Sequence, residues 1–264
     1  MQKTDKHGES MDSELQELGW KYVRTLSKDL KYTRKVYKKD RHEFMLKIIP
    51  KRSLFTDRYL RSQVNKEIEI ASKIKNHFNY LMPFYEFFYT RNLAVFVYEY
   101  FEFRTMQNVF HNNKMSLLEV ILLMRDLFNG LEELKHMKIV HKHLSPECIY
   151  MSGTMLKIGG FEFCEVYDCH KMDEYNHNFF MSILGDNFHT IPPEVIFNKL
   201  CGVKTPLYSF GVIFYKLLHH KYPTSCTTLQ QMVDAYQNRD HLIEFRKDLP
   251  PEFAFILRNS MEVV

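Results

Sequence analysis

The spacing of apolar positions divides the chain into a sheet-forming first part and a helix-forming second part. In residues 20–49, apolar and polar residues alternate in the segments KYVRTL, RKVYKK and EFMLKII, with charged breaks between them. This period of two predicts strands of an antiparallel sheet. Residues 59–75 change period and predict one amphipathic helix, whose apolar face is formed by Val64, Ile68, Ala71 and Ile74.

The sequence becomes mainly helical after a second strand-like region. Residues 81–101 are rich in aromatic and β-branched side chains, which favours strands. Ser116 with Glu119 three residues later predicts a capping box at the start of the long apolar run LLEVILLMRDLFNGLEELKHM. Short strand-like segments follow (KIVHKH, CIYM and LKIGG), and LYSFGVIFYKLL predicts another buried helix. A sheet followed by helices indicates an α+β fold.

Composition excludes several classes of protein. The 264 residues, 45% of them hydrophobic, suffice for the core of one or two domains. The net charge of +4 is small beside 36 basic and 32 acidic side chains, so no nucleic-acid partner is expected. Five cysteines without a CxxC pair predict reduced thiols.

The first residues predict neither a signal peptide nor an anchor. Residues 1–18 are polar, without an apolar core segment, and are expected to form a disordered tail. The chain has no run of about eighteen apolar residues, so no membrane insertion is expected. The expected location is intracellular, in the cytoplasm.

A series of short motifs resembles the eukaryotic protein kinase superfamily. In chain order these are FMLK at 44–47, EIEIASKIK at 67–75, VYEY at 97–100, HKHLSPEC at 141–148, GGFE at 159–162 and PPE at 192–194. The resemblance implies a bilobal fold: an antiparallel N-lobe with one helix over residues 19–98, a hinge at 99–103 and a mainly helical C-lobe at 104–264. It also implies that the C-lobe is truncated at its C-terminus.

The resemblance assigns four residues of the first half to a nucleotide site. Lys47 stands where the family has the lysine that holds ATP phosphates, and Glu67 stands where that lysine has its ion-pair partner. Tyr98 falls at the gatekeeper position and Tyr100 in the hinge. Lys47 and Glu67 are interpreted as relicts of the ATP site that now form a structural ion pair.

The catalytic loop departs from the family pattern HRDLKPEN. His141 keeps the first histidine, but His143 replaces the catalytic aspartate, Ser145 the lysine and Cys148 the metal-binding asparagine. Gly160 replaces the metal-binding aspartate of DFG. Since phosphoryl transfer depends on positioning and charge neutralisation, we expect no catalytic residue and no metal site.

Two further departures weaken the expected site. The segment LSKDLKYTRKVY, residues 26–37, lies where the family has its glycine-rich loop and contains no glycine, which disfavours close approach of a triphosphate. Pro206 replaces a buried aspartate of the family and is interpreted as an N-terminal residue of the following helix. Glu162, two residues after Gly160, offers a carboxylate. Because the family has glycine at this position, the Glu162 side chain is not expected to point toward a metal ion.

Three hypotheses about function follow. The preferred one is a pseudokinase, a serine/threonine-type kinase domain without catalysis that serves as a scaffold or allosteric regulator of a protein partner. The first alternative is a divergent serine/threonine kinase that transfers phosphate from ATP to protein, and the second is a nucleotide-binding sensor. No cofactor is expected under the preferred hypothesis, whereas ATP and magnesium are expected only under the enzyme alternative.

Overall fold

The chain divides into two compact units. The computed structural model describes residues 6–29, 31–75, 78–100, 104–112, 115–153, 155–166, 173–174, 185–198, 200–237 and 249–261. One unit contains residues 1–78 and 82–103, and the other contains residues 79–81 and 104–264. We call them the sheet unit and the helical unit. Of the predicted hinge, residues 101–103 lie outside the described residues.

The sheet unit contains a five-stranded antiparallel sheet. Its strands are β1 (Lys21–Lys28), β2 (Thr33–Lys39), β3 (His42–Pro50), β4 (Phe84–Tyr89) and β5 (Leu93–Glu99), in the order β1-β2-β3-β5-β4. The strands predicted from residues 20–49 are therefore confirmed. β3 and β5 are paired on both edges in the interior of the sheet, and consecutive residues Met45–Ile49 and Leu93–Tyr98 are buried, which means that both faces of these segments are covered.

A helix follows the third strand and buries one face. α2 (Lys51–Thr56) leads into α3 (Arg58–Ile74), whose first turn is capped by the Asp57 carboxylate accepting from two backbone N–H groups at 2.9 Å. The predicted amphipathic helix is confirmed, with one correction: Ile70 is buried, whereas Ile68 is only half-buried. Glu67 shares the buried face, so a carboxylate enters the core of this unit.

The prediction of a disordered tail over residues 1–18 was wrong for residues 6–17. These residues form helix α1 (Lys6–Glu17). Leu15 is fully buried in a core cluster with Trp20 and residues of three strands. Asp12 accepts a hydrogen bond from Lys35 at 2.7 Å, and Glu14 accepts one from the Asn92 side chain at 2.5 Å. These partners lie far along the chain, and local composition therefore did not indicate them.

The helical unit has six helices among its described residues. They are α4 (Met106–Asn112), α5 (Leu117–His136), α6 (Pro193–Asn198), α7 (Thr205–His219), α8 (Leu229–Gln237) and α9 (Pro251–Met261). The buried helix α7 packs against α5 and α9, with aromatic contacts between Phe128 and Phe210 and between Phe214 and Phe253. Pro206 is the second residue of α7, as expected. The predicted capping box of Ser116 and Glu119 begins α5.

In the part of the chain that the structure describes, seven short strands belong to the helical unit. They are β6 (Arg104–Thr105), β7 (Ile139–His141), β8 (Ile149–Ser152), β9 (Met155–Ile158), β10 (Cys164–Val166), β11 (Asp173–Glu174) and β12 (Leu200–Cys201). Two of them, β7 and β8, flank the loop from His141 to Cys148. The strands pair as β6-β8-β9, β7-β10 and β11-β12. The α+β prediction is confirmed.

Among the described residues, no helix combines the length and the apolar character that crossing a membrane requires.

Candidate functional site

Lys47, Glu67 and Tyr98 form a closed, buried group in the sheet unit. Lys47 is on β3, Glu67 on α3 and Tyr98 on β5. The Lys47 ammonium donates to Glu67 Oε2 at 2.7 Å, and the Tyr98 hydroxyl donates to Glu67 Oε1 at 2.7 Å. Lys47 and Glu67 side chains are 4% and 2% exposed. Both carboxylate oxygens therefore have a donor, which is the condition under which a buried charge is tolerated.

Aromatic rings enclose the same ammonium group. Lys47 Nζ lies 4.5 Å from the centre of the Tyr32 ring and 5.8 Å from that of Phe96. Tyr32 precedes β2 in the loop after β1, and its carbonyl accepts a hydrogen bond from Asp29. A cation over an aromatic face is favourable and excludes water from one side of the charge. Sequence reasoning missed Tyr32, because only the loop conformation brings it onto Lys47.

The two predicted hinge and gatekeeper tyrosines are held differently. Tyr98 belongs to the group around Glu67, whereas Tyr100 accepts a hydrogen bond from the Arg24 guanidinium of β1. The guanidinium also lies 5.5 Å from the centre of the Tyr100 ring. Tyr100 is therefore not part of the Lys47 group.

The helical unit brings the predicted catalytic-loop residues together around Cys148. The loop leaves β7 at His141 and ends in a single 3-10 turn, Pro146–Cys148, before β8. Cys148 Sγ donates to the carbonyl of His143 at 3.7 Å and lies 3.5 Å from Ser145 Oγ. The thiol and the hydroxyl are buried and hydrogen-bonded to the loop itself.

Gly160 sits against Cys148 with no room for a side chain. Its φ of 75° is in the left-handed region, which favours glycine. A Cβ atom at residue 160 would lie 2.6 Å from Cys148 Sγ and 3.1 Å from Cys148 Cβ. The backbone N–H of Gly159 donates to the Cys148 carbonyl at 2.8 Å, which fixes this approach. The glycine and the cysteine therefore fit as a pair.

His141 is a fully buried neutral imidazole. Its Nε2 atom is 2.9 Å from the carbonyl oxygen of Gly159. Because a carbonyl only accepts, Nε2 carries the hydrogen and Nδ1 is left as an acceptor. Within the described part of the chain, Nδ1 is buried and has no hydrogen-bond partner. Burial lowers the pKa of His141, against the opposing effects of the Gly159 hydrogen bond and Glu162.

His143, at the position of the catalytic aspartate, is also buried. Its ring packs edge-on against Phe163, with the ring centres 5.0 Å apart. Its pKa is lowered to about 4, mainly by burial and also by His141, while Glu162 opposes the shift. A buried imidazole with that pKa is a weak base and is screened from a hydroxyl substrate.

A partly buried ion pair that was not predicted from the sequence holds this loop. Lys142 donates to the carboxylate of Glu165, and the backbone N–H of Lys142 donates to the Phe163 carbonyl at 3.1 Å. Strand β10 is antiparallel to β7, with Cys164 opposite His141. The available signal was a lysine directly after one short strand and a glutamate within another.

The arrangement lacks the ligands of a metal site within the described residues. No group of three or more His, Cys, Asp or Glu side chains there is placed to hold a metal ion. Glu162 is buried, and Glu147 is exposed. Magnesium prefers carboxylate, phosphate and water oxygens in octahedral geometry. The imidazoles, thiol and hydroxyl described above are a poor set for it.

Comparison with known proteins gives one family. A family model described as protein kinase domain matches residues 32–262. Helix α1 lies before the matched range.

Three relatives illustrate the similarity. A serine/threonine-protein kinase of Acanthamoeba polyphaga mimivirus is 23% identical over 193 residues, covering 63% of this chain and 41% of the relative. Serine/threonine-protein kinase PLK2 of Mus musculus is 24% identical over 190 residues, covering 71% and 26%. Myosin light chain kinase 3 of Homo sapiens is 28% identical over 166 residues, covering 60% and 19%. The chain thus spans less than half of the length of each of these relatives.

Proposed function

Because the chain belongs to the protein kinase domain family, with its bilobal α+β fold, we propose that it is a pseudokinase that engages protein partners and transfers no phosphate. Its similarity to serine/threonine kinases supports a signalling role.

One observation carries the proposal: the contact between Cys148 and Gly160. In kinases these two positions supply metal ligands, and phosphoryl transfer depends on the metal ions that neutralise the migrating group. Here the two residues offer a thiol and a hydrogen atom, and Cys148 Sγ fills the space that a carboxylate at residue 160 would need. The packing of this loop therefore fits Cys148 and Gly160 and leaves no space for a carboxylate at residue 160.

The surroundings of Lys47 support the same proposal. A phosphate-binding lysine must present its ammonium group to the nucleotide. Here the centre of the Tyr32 ring lies 4.5 Å from that ammonium and covers one side of it. The 2.7 Å hydrogen bond to Glu67 does not distinguish the hypotheses, because active kinases require the same ion pair. We interpret the pair as a structural link between β3 and α3.

A thermal-shift titration with ATP, with magnesium and with a chelator, tests the proposal. An active serine/threonine kinase serves as the positive control, since ligand at 100 times its Kd adds about 2.7 kcal/mol to stability. We expect no shift for this chain under either condition. A shift without metal would support the nucleotide sensor instead. A magnesium-dependent shift, with phosphate transfer that Lys47→Met abolishes, would overturn the proposal and support the divergent kinase.

A Tyr32→Ala variant separates two reasons for inactivity. Removal of the ring uncovers one side of the Lys47 ammonium but restores no metal ligand. We therefore expect no magnesium-dependent shift and no phosphate transfer from this variant. If Tyr32→Ala gained both, the covering ring rather than the Cys148–Gly160 pair would be the cause of inactivity.

The proposed partner is a protein, and the edge strand β4 is the surface we favour. Tyr85 and Tyr89 are 49% and 54% exposed there, and exposed tyrosines are frequent anchors of protein interfaces. Proximity labelling in cells, followed by binding measurements with each purified candidate, tests this. A true partner should bind wild type and lose affinity for a Tyr85→Ser/Tyr89→Ser variant, whereas equal binding to both would exclude this surface.

A further inference from the structure

A cavity of about 640 Å³ lies within the helical unit, and its wall includes His141 and Pro206 from the residues discussed above. It is formed by the C-terminal end of α5, strand β7 and the N-terminal end of α7. Sites for small molecules commonly enclose about 300–1,000 Å³. The cavity is therefore large enough for a small organic ligand.

Most of the cavity wall is apolar. Its buried members include Leu131, Leu134, Ile139 and Pro206. Two further apolar side chains, Val203 and Leu207, are 46% and 37% exposed. Water against such a wall makes few hydrogen bonds, so an apolar ligand group would be favoured in its place.

The charges in the lining are mainly positive. Three lysines, Lys135, Lys138 and Lys204, belong to it, together with one carboxylate, Glu132. Lys135 pairs with Glu132 at 3.0 Å. Lys138 and Lys204 are exposed, and neither forms an ion pair with another residue in the described ranges. Two positive charges of the lining are thus uncompensated there.

The backbone contributes partial charges of both signs at the cavity, because the C-terminal end of α5 carries a partial negative charge. Lys204 is the N-cap residue of α7, a helix of 15 residues that begins at the cavity. The N-terminal end of a helix carries a partial positive charge. Because the two helix ends oppose each other, the preference for a negatively charged group beside the apolar wall rests mainly on Lys138 and Lys204, with the N-terminal end of α7 beside Lys204.

We propose that this cavity binds a small amphiphilic carboxylate of the medium-chain fatty-acid class. Its hydrocarbon chain would contact the apolar wall formed by residues of α5 and β7, and its carboxylate would be held by Lys138 and Lys204. The proposal concerns a site other than the nucleotide site and holds for an active or an inactive domain.

A second cavity provides a matched comparison. It encloses about 550 Å³ among side chains of α5, α7 and α9, including Phe128, Phe210 and Ile256. The charged residue in its lining is Arg125, whose guanidinium hydrogen-bonds to Asp126 at 2.8 Å. The two cavities are similar in size, but only the first presents uncompensated lysines. Binding of a neutral hydrocarbon would not distinguish them, whereas a carboxylate should.

Isothermal titration calorimetry, which measures the affinity of the full chain for dodecanoate, tests the proposal. 1-Dodecanol serves as the neutral probe of the same chain length. We expect one saturable site for dodecanoate, weakened by salt, and weaker binding of 1-dodecanol. Lys138→Glu/Lys204→Glu should reduce the dodecanoate affinity by about tenfold or more, because the variant repels the carboxylate. Val203→Trp should reduce it similarly by filling the mouth of the cavity.

Two control variants keep the result specific. Lys221→Glu changes an exposed lysine outside the cavity lining, and Ile256→Trp fills the second cavity. Both should retain wild-type affinity for dodecanoate within about twofold. Absence of binding, loss through Ile256→Trp, or unchanged affinity of the lysine variant would each overturn the proposal. Since both lysines are exposed, that variant should fold even if Val203→Trp does not, and circular dichroism checks this.

Discussion

The sulfur atom of Cys148 occupies the place of a side chain at residue 160, because a Cβ atom built on Gly160 would lie 2.6 Å from it. Gly160→Ala should therefore destabilise the fold by about 2–4 kcal/mol, since overpacking and a left-handed backbone with a side chain both cost free energy. Urea unfolding measures the change.

The same contact predicts non-additivity. In a Cys148→Ala background the Sγ atom is gone, so Gly160→Ala should cost less than in wild type, by about 1 kcal/mol or more. Equal costs in the two backgrounds would mean that the backbone conformation alone requires glycine.

Lys47 should matter for stability in this protein. Lys47→Met leaves the buried Glu67 carboxylate without its cation, and removal of one member of a buried pair costs about 3–5 kcal/mol. Tyr98→Phe removes the second donor to Glu67 and should cost about 1–2 kcal/mol. The control is Lys73→Met: the Lys73–Glu69 pair is exposed, so the change should stay within about 0.5 kcal/mol. A neutral Lys47→Met would contradict the structural role.

The stability of the fold should decrease in mild acid. The folded-state pKa of His143 is about 4, below the ordinary value of about 6.5, so the unfolded chain binds more protons between these pH values. The free energy of unfolding should fall as the pH falls through this window, by on the order of 3 kcal/mol from His143. His141 acts in the same direction.

Urea unfolding at about pH 7 and about pH 4.5 measures this dependence. His143→Leu cannot titrate and should reduce it, and the exposed His42→Gln should leave it unchanged. If His143→Leu kept the wild-type dependence, His143 would not be the buried neutral group described here.

Helix α1 should be required for the stability of the sheet unit. Leu15→Ala removes a fully buried side chain and should cost about 2–4 kcal/mol, whereas Leu18→Ala, at a residue 48% exposed, should cost less than about 1 kcal/mol. Trp20 is the single tryptophan and stacks on Phe88 beside Leu15, so its fluorescence reports this region directly. Equal effects of the two substitutions would argue against the packing of α1 on the sheet.

The sequence by itself determined the elements whose signals are local. Alternation predicted β1 to β3, helical spacing predicted α3, and the capping box predicted the start of α5. The order of the motifs indicated the family, and the resemblance to that family implied the buried ion pair of Lys47 and Glu67. These features can be predicted from the sequence because each depends on residue types at short, fixed spacings along the chain or on the order of several motifs.

Only the tertiary structure decided which side chains meet across long stretches of chain. Asp12, in the segment expected to be a disordered tail, accepts a hydrogen bond from Lys35. The Tyr32 ring lies over the Lys47 ammonium, and Cys148 Sγ fills the space beside Gly160. The cavity at α7 likewise joins residues of three separate elements. Periodicity describes the environment along one element, whereas these contacts depend on how strands and helices are placed in three dimensions.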